Sequence, residues 1–453
     1  MPSPAPRELL AVDKQVGIRF LTVVSTLTRG GTERAAMNFA LGYHHAGFPS
    51  AVLAFGGGGP RLATLESAGI PVFVGGPSPQ QRDQALADAR AWNPDIVHVN
   101  RPGQQDDESA RVLRYLVHPR MRVWETNVFG YADRSEDRVL IDLHLVLARW
   151  CLWKWSAAVR GLNPQSPATI VPYLVDCGQF RSISADKKQL IRSQWKIPAN
   201  AVVFGRIGQA LDGKWSPTLV ACFQNVARRL PNAWLAVCGP PPSIQSAIRS
   251  LPADIRSRVV ELPMTDSDEE LLHYYALMDI FVHASAKGES FGYVLCEAML
   301  SGLPVITLST PLRDNSQIEV VPHGQTGIVV SNQREMVEAM LRLAREPAAA
   351  QELSSQGPGW VKEHYDIPVV TRRLVQLAPQ ILASTSGEEL AGRIRAIGLD
   401  VAPVGPGFYK DLLQTSGIKP TVRERFFAPA VNHHLSRRAI AAVRALRASL
   451  RHS

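Results

Sequence analysis

Two glutamates, Glu289 and Glu297, stand eight positions apart in the stretch of the chain that is richest in groups able to do chemistry. Phe291 and Gly292 follow the first of them at the point where a helix is expected to begin. Free backbone N–H groups at a helix N-terminus attract anions, and a glycine lets an anion approach closely. The stretch therefore predicts a pocket for a polyhydroxylated molecule that carries phosphate, and a nucleotide sugar fits that description.

The flanking sequence predicts the elements that position these glutamates. Apolar runs at 279–284 and 304–308 predict two strands of one parallel sheet, and the segment between them predicts a turn and a helix. Either glutamate alone could equally be a surface residue that stabilises the start of a helix. The whole constellation favours a binding site.

This stretch resembles the E-x7-E motif of retaining glycosyltransferases of the GT4 family, which have the GT-B fold. The family pattern reads roughly E-G-F-G-x-x-x-x-E-A-M-A-x-G-x-P-V, and the chain follows it from Glu289 to Val305. Ser290 and Leu300 are the two departures. The resemblance implies that Glu297 holds the ribose hydroxyls of a nucleotide sugar.

The resemblance also implies roles for neighbouring residues. Glu289 would contact hydroxyls of the transferred sugar, and the amides of Phe291 and Gly292 would steady the sugar and phosphate. Downstream, Glu319 matches a family glutamate, but polar residues replace the glycine pair that precedes it in relatives. The implied donor-binding set is Gly30, Gly31, Glu289, Ser290, Phe291, Gly292 and Glu297.

Arg206 and Lys214 follow an apolar strand pattern that opens the second half of the chain. Breaking a sugar–phosphate bond requires cations or amides aimed at the departing diphosphate. The segment resembles the family's G-R-L…K-G segment, whose Arg and Lys contact the diphosphate, although the spacing between the two is longer here. Taken singly, both residues could be solvated surface cations.

Gly30 and Gly31 lie between a predicted strand and a predicted helix, followed by Glu33. Paired glycines in such a turn allow close backbone approach to phosphate and acceptor. The segment resembles the family's G-G-x-E loop. The resemblance implies that this loop is the contribution of the first half of the chain to the donor site.

The residues available to activate an acceptor depart from the family. Relatives often carry a His after the strand that corresponds to 122–125, where this chain has Asn127. An amide can hydrogen-bond a sugar hydroxyl but is a poor general base. His98 resembles another common family His, and in an apolar strand it could equally be a core residue. Both are candidates for an acceptor or sugar contact.

Composition bounds the class of protein. The 453 residues exceed the size of one core, and 45% hydrophobic with 20% charged residues is typical of a globular enzyme. The net charge of +9 favours anionic partners, but no nucleic-acid-binding motif is present. Five scattered cysteines without a C-x-x-C pair, no signal-peptide pattern and no apolar run of membrane-spanning length predict a cytoplasmic protein, with peripheral contact to the membrane face left open.

Alternating strand and helix patterns predict an α/β protein with two Rossmann-like, doubly wound parallel-sheet domains facing a cleft, which is the GT-B architecture implied by the resemblance. The predicted division is an acceptor domain at 1–180, a donor domain at 181–365, a helix crossing back at 366–383 and an extension at 384–453. The extension ends in a basic amphipathic helix with apolar residues at 435, 439, 443, 446 and 450. It could contact an anionic membrane or pack on the protein.

The resemblance implies a hexosyltransferase that uses a UDP- or GDP-sugar, with retention, to modify a glycan or lipid-linked acceptor in bacterial polysaccharide or glycolipid synthesis. Its catalytic residues would be Arg206, Lys214 and Glu289. No cofactor and no metal are expected. Two alternatives stay open: a non-catalytic sugar-nucleotide-binding protein, and a sugar-nucleotide epimerase of the same fold.

Overall fold

The computed structural model describes residues 17–162, 166–265, 267–405, 407–418 and residue 428. Two β-sheets, of eight and six strands, form its framework. In chain order the strands are β1 (Phe20–Thr26), β2 (Ser50–Gly57), β3 (Val72–Val74), β4 (Ile96–Arg101), β5 (Arg122–Asn127), β6 (Leu143–Val146), β7 (Ala168–Ile170), β8 (Val202–Ile207), β9 (Ala233–Cys238), β10 (Val259–Leu262), β11 (Ile280–His283), β12 (Val305–Leu308), β13 (Gly327–Val330) and β14 (Val401–Ala402).

Helices connect these strands and cover the sheets. They are α1 (Gly31–His45), α2 (Leu62–Ser67), α3 (Pro79–Ala91), α4 (Asp107–Leu116), α5 (Arg149–Ala158), α6 (Ala185–Gln194), α7 (Thr218–Arg229), α8 (Pro242–Arg249), α9 (Ala253–Arg256), α10 (Asp268–Leu277), α11 (Tyr293–Leu300), α12 (Gln317–Val320), α13 (Gln333–Arg345), α14 (Pro347–Tyr365), α15 (Ile367–Leu382), α16 (Gly387–Ala396) and α17 (Phe408–Thr415), with 3₁₀ turns at Glu136–Leu140 and Asp212–Lys214.

The first sheet has the strand order β14-β7-β6-β5-β4-β1-β2-β3. Its strands run parallel except β14, which pairs antiparallel with β7. The central strand β4 is buried along its whole length, as expected for a strand covered by helices on both faces. The predicted parallel α/β organisation is therefore confirmed, and the segment after residue 384 adds an edge strand that the sequence patterns did not indicate.

The second sheet has the order β10-β9-β8-β11-β12-β13 and is parallel throughout. The strand order reverses between the neighbours β8 and β11. From β8 the chain adds β9 and β10 toward one edge of the sheet, and from β11 it adds β12 and β13 toward the other edge. Ligands of doubly wound sheets bind at the carboxyl ends of the strands beside such a switch point. Arg206 is the second-last residue of β8 and His283 is the last residue of β11, so both strands beside the switch point lead directly into the predicted site.

Aromatic residues join the two halves of the chain. Tyr173, which follows β7, stacks on Tyr293 at 5.5 Å between ring centroids. Phe291 contacts Tyr173 edge-on at 5.6 Å and Tyr365 at 5.2 Å. These rings belong to one buried cluster that extends under both sheets. The helix that carries Glu297 is therefore packed directly against the first half of the chain.

After α14 the chain returns to the first sheet. The amide of Val175 donates to the carbonyl of Tyr365 at 2.7 Å, and α15 then packs on α1. A Cβ on Gly42 of α1 would lie 2.3 Å from Oγ1 of Thr371, so only glycine permits this approach. The domain boundaries at 180, 365 and 383 stay a prediction, and the amphipathic helix predicted near 435–451 lies outside the described residues.

Within the described ranges, none of the helices combines the length and the apolar character that crossing a membrane requires.

Candidate donor site

The two glutamates occupy the elements that the sequence predicts. Strand β11 ends at His283, a turn carries Glu289, and α11 carries Glu297 before the parallel strand β12 begins. Gly292 is the N-cap of α11 with φ of +95°, a conformation that side chains with a Cβ rarely adopt. The glycine turns the chain so that Glu289 and the first amides of α11 share one end of the sheet.

Glu289 is held by two basic side chains and is 5% exposed. Nζ of Lys214 donates to its Oε2 at 2.6 Å, and Nε2 of His283 lies 3.2 Å from its Oε1. Because a carboxylate only accepts hydrogen bonds, Nε2 carries the proton, and Nδ1 of His283 then accepts from the hydroxyl of Thr307 at 3.1 Å. Sequence reasoning missed His283. The signal that could have identified it is its place at the end of β11, six residues before Glu289.

Electrostatics keep this cluster in one protonation state near neutral pH. Burial alone would raise the pKa of Glu289, but the Lys214 ammonium and the His283 hydrogen bond lower it to about 2. Burial, followed by repulsion from Arg206, lowers the pKa of His283 to about 4. Glu289 is therefore an anion and His283 a neutral donor at pH 7, so Glu289 can accept hydrogen bonds but cannot serve as an acid.

Lys214 and Arg206 have different environments. The Lys214 side chain is 38% exposed at the end of a 3₁₀ turn, so its ammonium can meet both Glu289 and a ligand. Arg206 is 1% exposed and donates from Nη1 to the carbonyl of Ile207 and from Nη2 to that of Lys214 at 2.9 Å. Both terminal nitrogens of Arg206 thus secure the loop that presents Lys214, while its role at the diphosphate stays a prediction.

Glu297 lies on the side of α11 that faces the first half of the chain and is 3% exposed. Nη1 of Arg34 donates to its Oε1, and the hydroxyl of Tyr275 donates to its Oε2 at 2.7 Å. Nη2 of Arg34 reaches Oε1 of Gln179 at 2.8 Å. The carboxylate predicted to hold ribose is therefore engaged at both oxygens. Sequence reasoning missed Arg34 and Tyr275, although Arg34 directly follows the Gly-Gly-Thr-Glu loop.

The glycine loop of the first half lies beside α11. Gly30 is the N-cap of α1, and a Cβ on it would collide with the carboxylate of Glu33 at 1.9 Å. A Cβ on Gly31 would lie 3.8 Å from the ring of Tyr293, the first residue of α11. The structure thus brings the Gly30–Gly31 loop to the N-terminus of the helix that carries Glu297, as the donor-site hypothesis requires.

Polar residues at 315–317, at and next to the position of the family's glycine pair, stabilise the loop below Glu289. Oε1 of Gln317 accepts from the amide of Glu289 at 3.0 Å, and the amide of Ser316 donates to the Glu289 carbonyl at 2.9 Å. The side chain of Asn315 accepts from the amide of Thr310 at 2.7 Å. These side chains are fully buried, so they hold the backbone of the site rather than face a ligand.

Glu319 does not lie among the donor-site groups. Its carboxylate accepts from the amide of Arg149 at 2.9 Å and from that of Trp150 at 2.8 Å, which are the first residues of α5. Burial raises the pKa of Glu319 to about 7 despite these two hydrogen bonds. Glu319 therefore caps a helix of the first half from α12 of the second half.

His98, the possible acceptor or sugar contact, lies inside the first half of the chain, and a role for it at a ligand stays a prediction. It is fully buried in β4, with Nδ1 2.8 Å from the hydroxyl of Tyr43 and Nε2 2.7 Å from Oγ1 of Thr126. Burial lowers the pKa of His98 to about 3, so the ring is neutral. His98 lies in the interior of β4 and faces α1, where it packs as a core residue.

Asn127 is likewise buried, and its contact with an acceptor or sugar stays a prediction. Its Nδ2 donates to the carbonyl of Tyr131 at 2.8 Å, and its Oδ1 accepts from the amide of Tyr131 at 3.2 Å. Gly103 packs so closely that a Cβ would lie 2.0 Å from Oδ1. Asn127 closes the turn after β5.

A family model described as glycosyl transferases group 1 matches residues 199–346, the range that contains Arg206, Lys214 and both glutamates. Over this range the chain is similar to the glycosyl transferases group 1 family. The matched range covers β8 to α13, so the donor-site residues of the second sheet lie inside it.

Sequence relatives match about half of this chain, and solved structures match about four fifths of it. A GDP-mannose-dependent alpha-mannosyltransferase of Corynebacterium glutamicum is 23% identical over 259 residues, which are 53% of this chain and 56% of that protein. The chain thus spans little more than half of that relative's length. A glycosyltransferase from Rickettsia africae has a TM-score of 0.65 at 14% identity and covers 82% of this chain and 100% of its own.

The Anabaena protein HepE, solved in complex with UDP-glucose, has a TM-score of 0.62 at 17% identity, covering 79% of this chain and 98% of its own. At these identities the likeness concerns the fold. The protein has the GT-B fold, and the fold class predicted from the sequence is confirmed.

Proposed function

We propose that this protein is a member of GT4 and a hexosyltransferase that moves a sugar, with retention, from a nucleoside-diphosphate sugar to a glycan or lipid-linked acceptor. One observation carries the proposal: an anionic Glu289 held by Lys214 and His283 adjoins the N-terminus of α11, next to the Gly30–Gly31 loop of the other sheet. A carboxylate can accept hydrogen bonds from the hydroxyls of a sugar, while an ammonium and helix amides bind phosphate. These groups together therefore suit a sugar that is joined to a diphosphate.

Each group has a proposed role. Glu289 accepts hydrogen bonds from the transferred sugar, and Lys214 stabilises the charge that develops on the leaving diphosphate. Arg206 holds the Lys214 loop and adds positive charge behind it. The amides after Ser290, at Phe291 and Gly292, bind phosphate, and Glu297 holds the ribose diol.

The donor base is left to experiment because the comparisons point in two directions. The Corynebacterium relative is named for GDP-mannose and the Anabaena structure holds UDP-glucose. We infer a place in bacterial polysaccharide or glycolipid synthesis from the polyol-and-phosphate character of the site. We also propose a cytoplasmic location, with peripheral membrane contact through the basic C-terminal segment. Five buried cysteines without a disulfide support a reducing compartment.

The first test is a thermal-shift panel of UDP-, GDP- and ADP-sugars. A ligand at a hundred times its Kd stabilises the native state by about 2.7 kcal/mol. Glu297→Ala should reduce the shift by removing the ribose contact, whereas Glu352→Ala, a change at an exposed residue of α14, should keep it. A full shift in Glu297→Ala would refute the ribose assignment.

The second test separates transfer from binding. His98 and Asn127 are buried and hydrogen-bonded within the first half of the chain, which favours the departing phosphate as the proton acceptor and keeps binding without turnover as the competing function. Release of nucleoside diphosphate in the presence of candidate acceptors supports the transferase. Arg206→Ala should lower that release on the order of a hundredfold. Tight sugar-nucleotide binding without release for any acceptor would favour the binding protein.

A further inference from the structure

Glu297 has no open space for a ribose while Arg34 covers it. Both of its oxygens are engaged, one by Arg34 and one by Tyr275, and the carboxylate is almost fully buried. Each carboxylate oxygen can accept a second hydrogen bond, so space and not acceptor capacity excludes a diol. Tyr275 is fully buried whereas the Arg34 side chain is 12% exposed, so a ribose that reaches the carboxylate from solvent must move the Arg34 guanidinium away from Oε1.

The displaced guanidinium lies next to the place where the diphosphate is expected. Arg34 belongs to the first turn of α1, and its guanidinium carbon stands 4.8 Å from the ring centre of Tyr293, the first residue of α11. Its side chain is 12% exposed, so it borders the open part of the site. The Arg34 guanidinium therefore stacks on the first residue of α11, at the helix end whose free amides attract anions.

Charge makes a direct release of Arg34 costly. Although burial opposes its ionisation, Glu297 beside it raises the pKa of Arg34, so the group stays a cation. Arg61, whose Nε donates to the carbonyl of Thr28 at 3.0 Å, is close enough to repel it. A buried charge that loses its partner is strongly destabilised. A diphosphate supplies a replacement partner, and guanidinium binds phosphate oxygens bidentately.

We propose that Arg34 is a donor-binding residue that exchanges the Glu297 carboxylate for the donor's diphosphate as the ribose takes its place. The proposal rests on the proposed function, since it needs a ligand with both a diol and a diphosphate. Only such a ligand leaves both Glu297 and Arg34 paired. Arg34 thereby links nucleotide recognition by the second sheet to the first sheet, and it selects nucleoside diphosphates over nucleosides.

The test compares Kd values of a nucleoside and its diphosphate, uridine with UDP or guanosine with GDP, in the full chain. In the wild type the nucleoside must break the Arg34–Glu297 pair without replacing it, so the diphosphate should bind far better. Arg34→Ala should strengthen nucleoside binding, weaken diphosphate binding and reduce the ratio of the two Kd values by roughly 10- to 100-fold, the value of a charged hydrogen bond. Arg111→Ala, which removes an exposed cation on α4, should change neither.

A second variant keeps the test decisive if Arg34→Ala fails to fold. Glu297→Gln leaves Arg34 in place without its anion, so inorganic pyrophosphate should bind more tightly than to the wild type. An unchanged Kd ratio in Arg34→Ala, an equal loss of both ligands, or weaker pyrophosphate binding to Glu297→Gln would overturn the exchange. A wild type that binds no nucleoside diphosphate would instead overturn the proposed function.

Discussion

Glu319 should make the stability of the protein fall as pH rises through the neutral range. Glu319 is partly buried, its carboxyl accepts two amide hydrogen bonds at the start of α5, and burial raises its pKa from 4.5 to about 7. The folded protein therefore holds this proton between pH 4.5 and pH 7 while the unfolded chain releases it. Stability is full below the unfolded value and is lost as pH rises through the folded value.

The magnitude follows from the two pKa values. Each pH unit in the window costs about 1.4 kcal/mol, so the complete loss is about 3.4 kcal/mol. Part of it falls below pH 5, which leaves about 2.5 kcal/mol between pH 5 and pH 8. Above pH 7 the ionised carboxylate keeps its amide donors but pays for burial without a neighbouring cation in contact.

Glu319→Gln isolates this effect because glutamine keeps the shape and does not titrate. The free energy of unfolding in urea is measured for both proteins at several pH values, and their difference cancels all other titrating groups. Relative to the variant, the wild type should lose about 2.5 kcal/mol from pH 5 to pH 8. Parallel curves, or a wild type that gains relative stability with rising pH, would refute the assignment of a partly buried, protonated Glu319.

Three further outcomes follow from the site and its support. Lys214→Met should lower turnover on the order of a hundredfold and raise the pKa of Glu289, because burial then acts without the ammonium; an unchanged rate would remove Lys214 from the leaving-group role. His98→Leu should cost roughly 2–4 kcal/mol by stranding the hydroxyls of Tyr43 and Thr126 while sugar-nucleotide affinity stays as in the wild type, and a large loss of affinity would restore His98 as a contact. Gly292→Ala should cost at least about 1–2 kcal/mol for its left-handed conformation and weaken donor binding, which isothermal titration would detect; equal affinity would mean that this turn does not shape the site.

Local patterns predicted the elements because each depends on neighbours in the chain. The apolar runs on either side of Glu289 correctly indicated β11 and β12, and the glycine at 292 correctly marked the start of α11. A strand's burial and a helix's N-cap are encoded within a few residues. The fold class followed from the alternation of such patterns.

The partners of the site residues come from distant positions, which no local pattern encodes. Arg34 meets Glu297 across 263 positions, and Lys214 meets Glu289 across 75. Whether a histidine faces a ligand or the core depends on which helix covers its strand face. The fold covers His98 with α1 and Tyr43.

By itself the sequence determined that this chain is an α/β protein with two parallel sheets, and it predicted a polyol-and-phosphate site around Glu289 and Glu297, because motif spacing and hydrophobic period are properties of the chain. Only the tertiary structure decided that Glu289 is held by Lys214 and His283, that Glu297 is paired with Arg34, and that Glu319 caps α5 instead of facing the donor. The physical reason is that charge pairing and burial depend on how the two sheets pack together, which brings groups from both halves of the chain within hydrogen-bond distance.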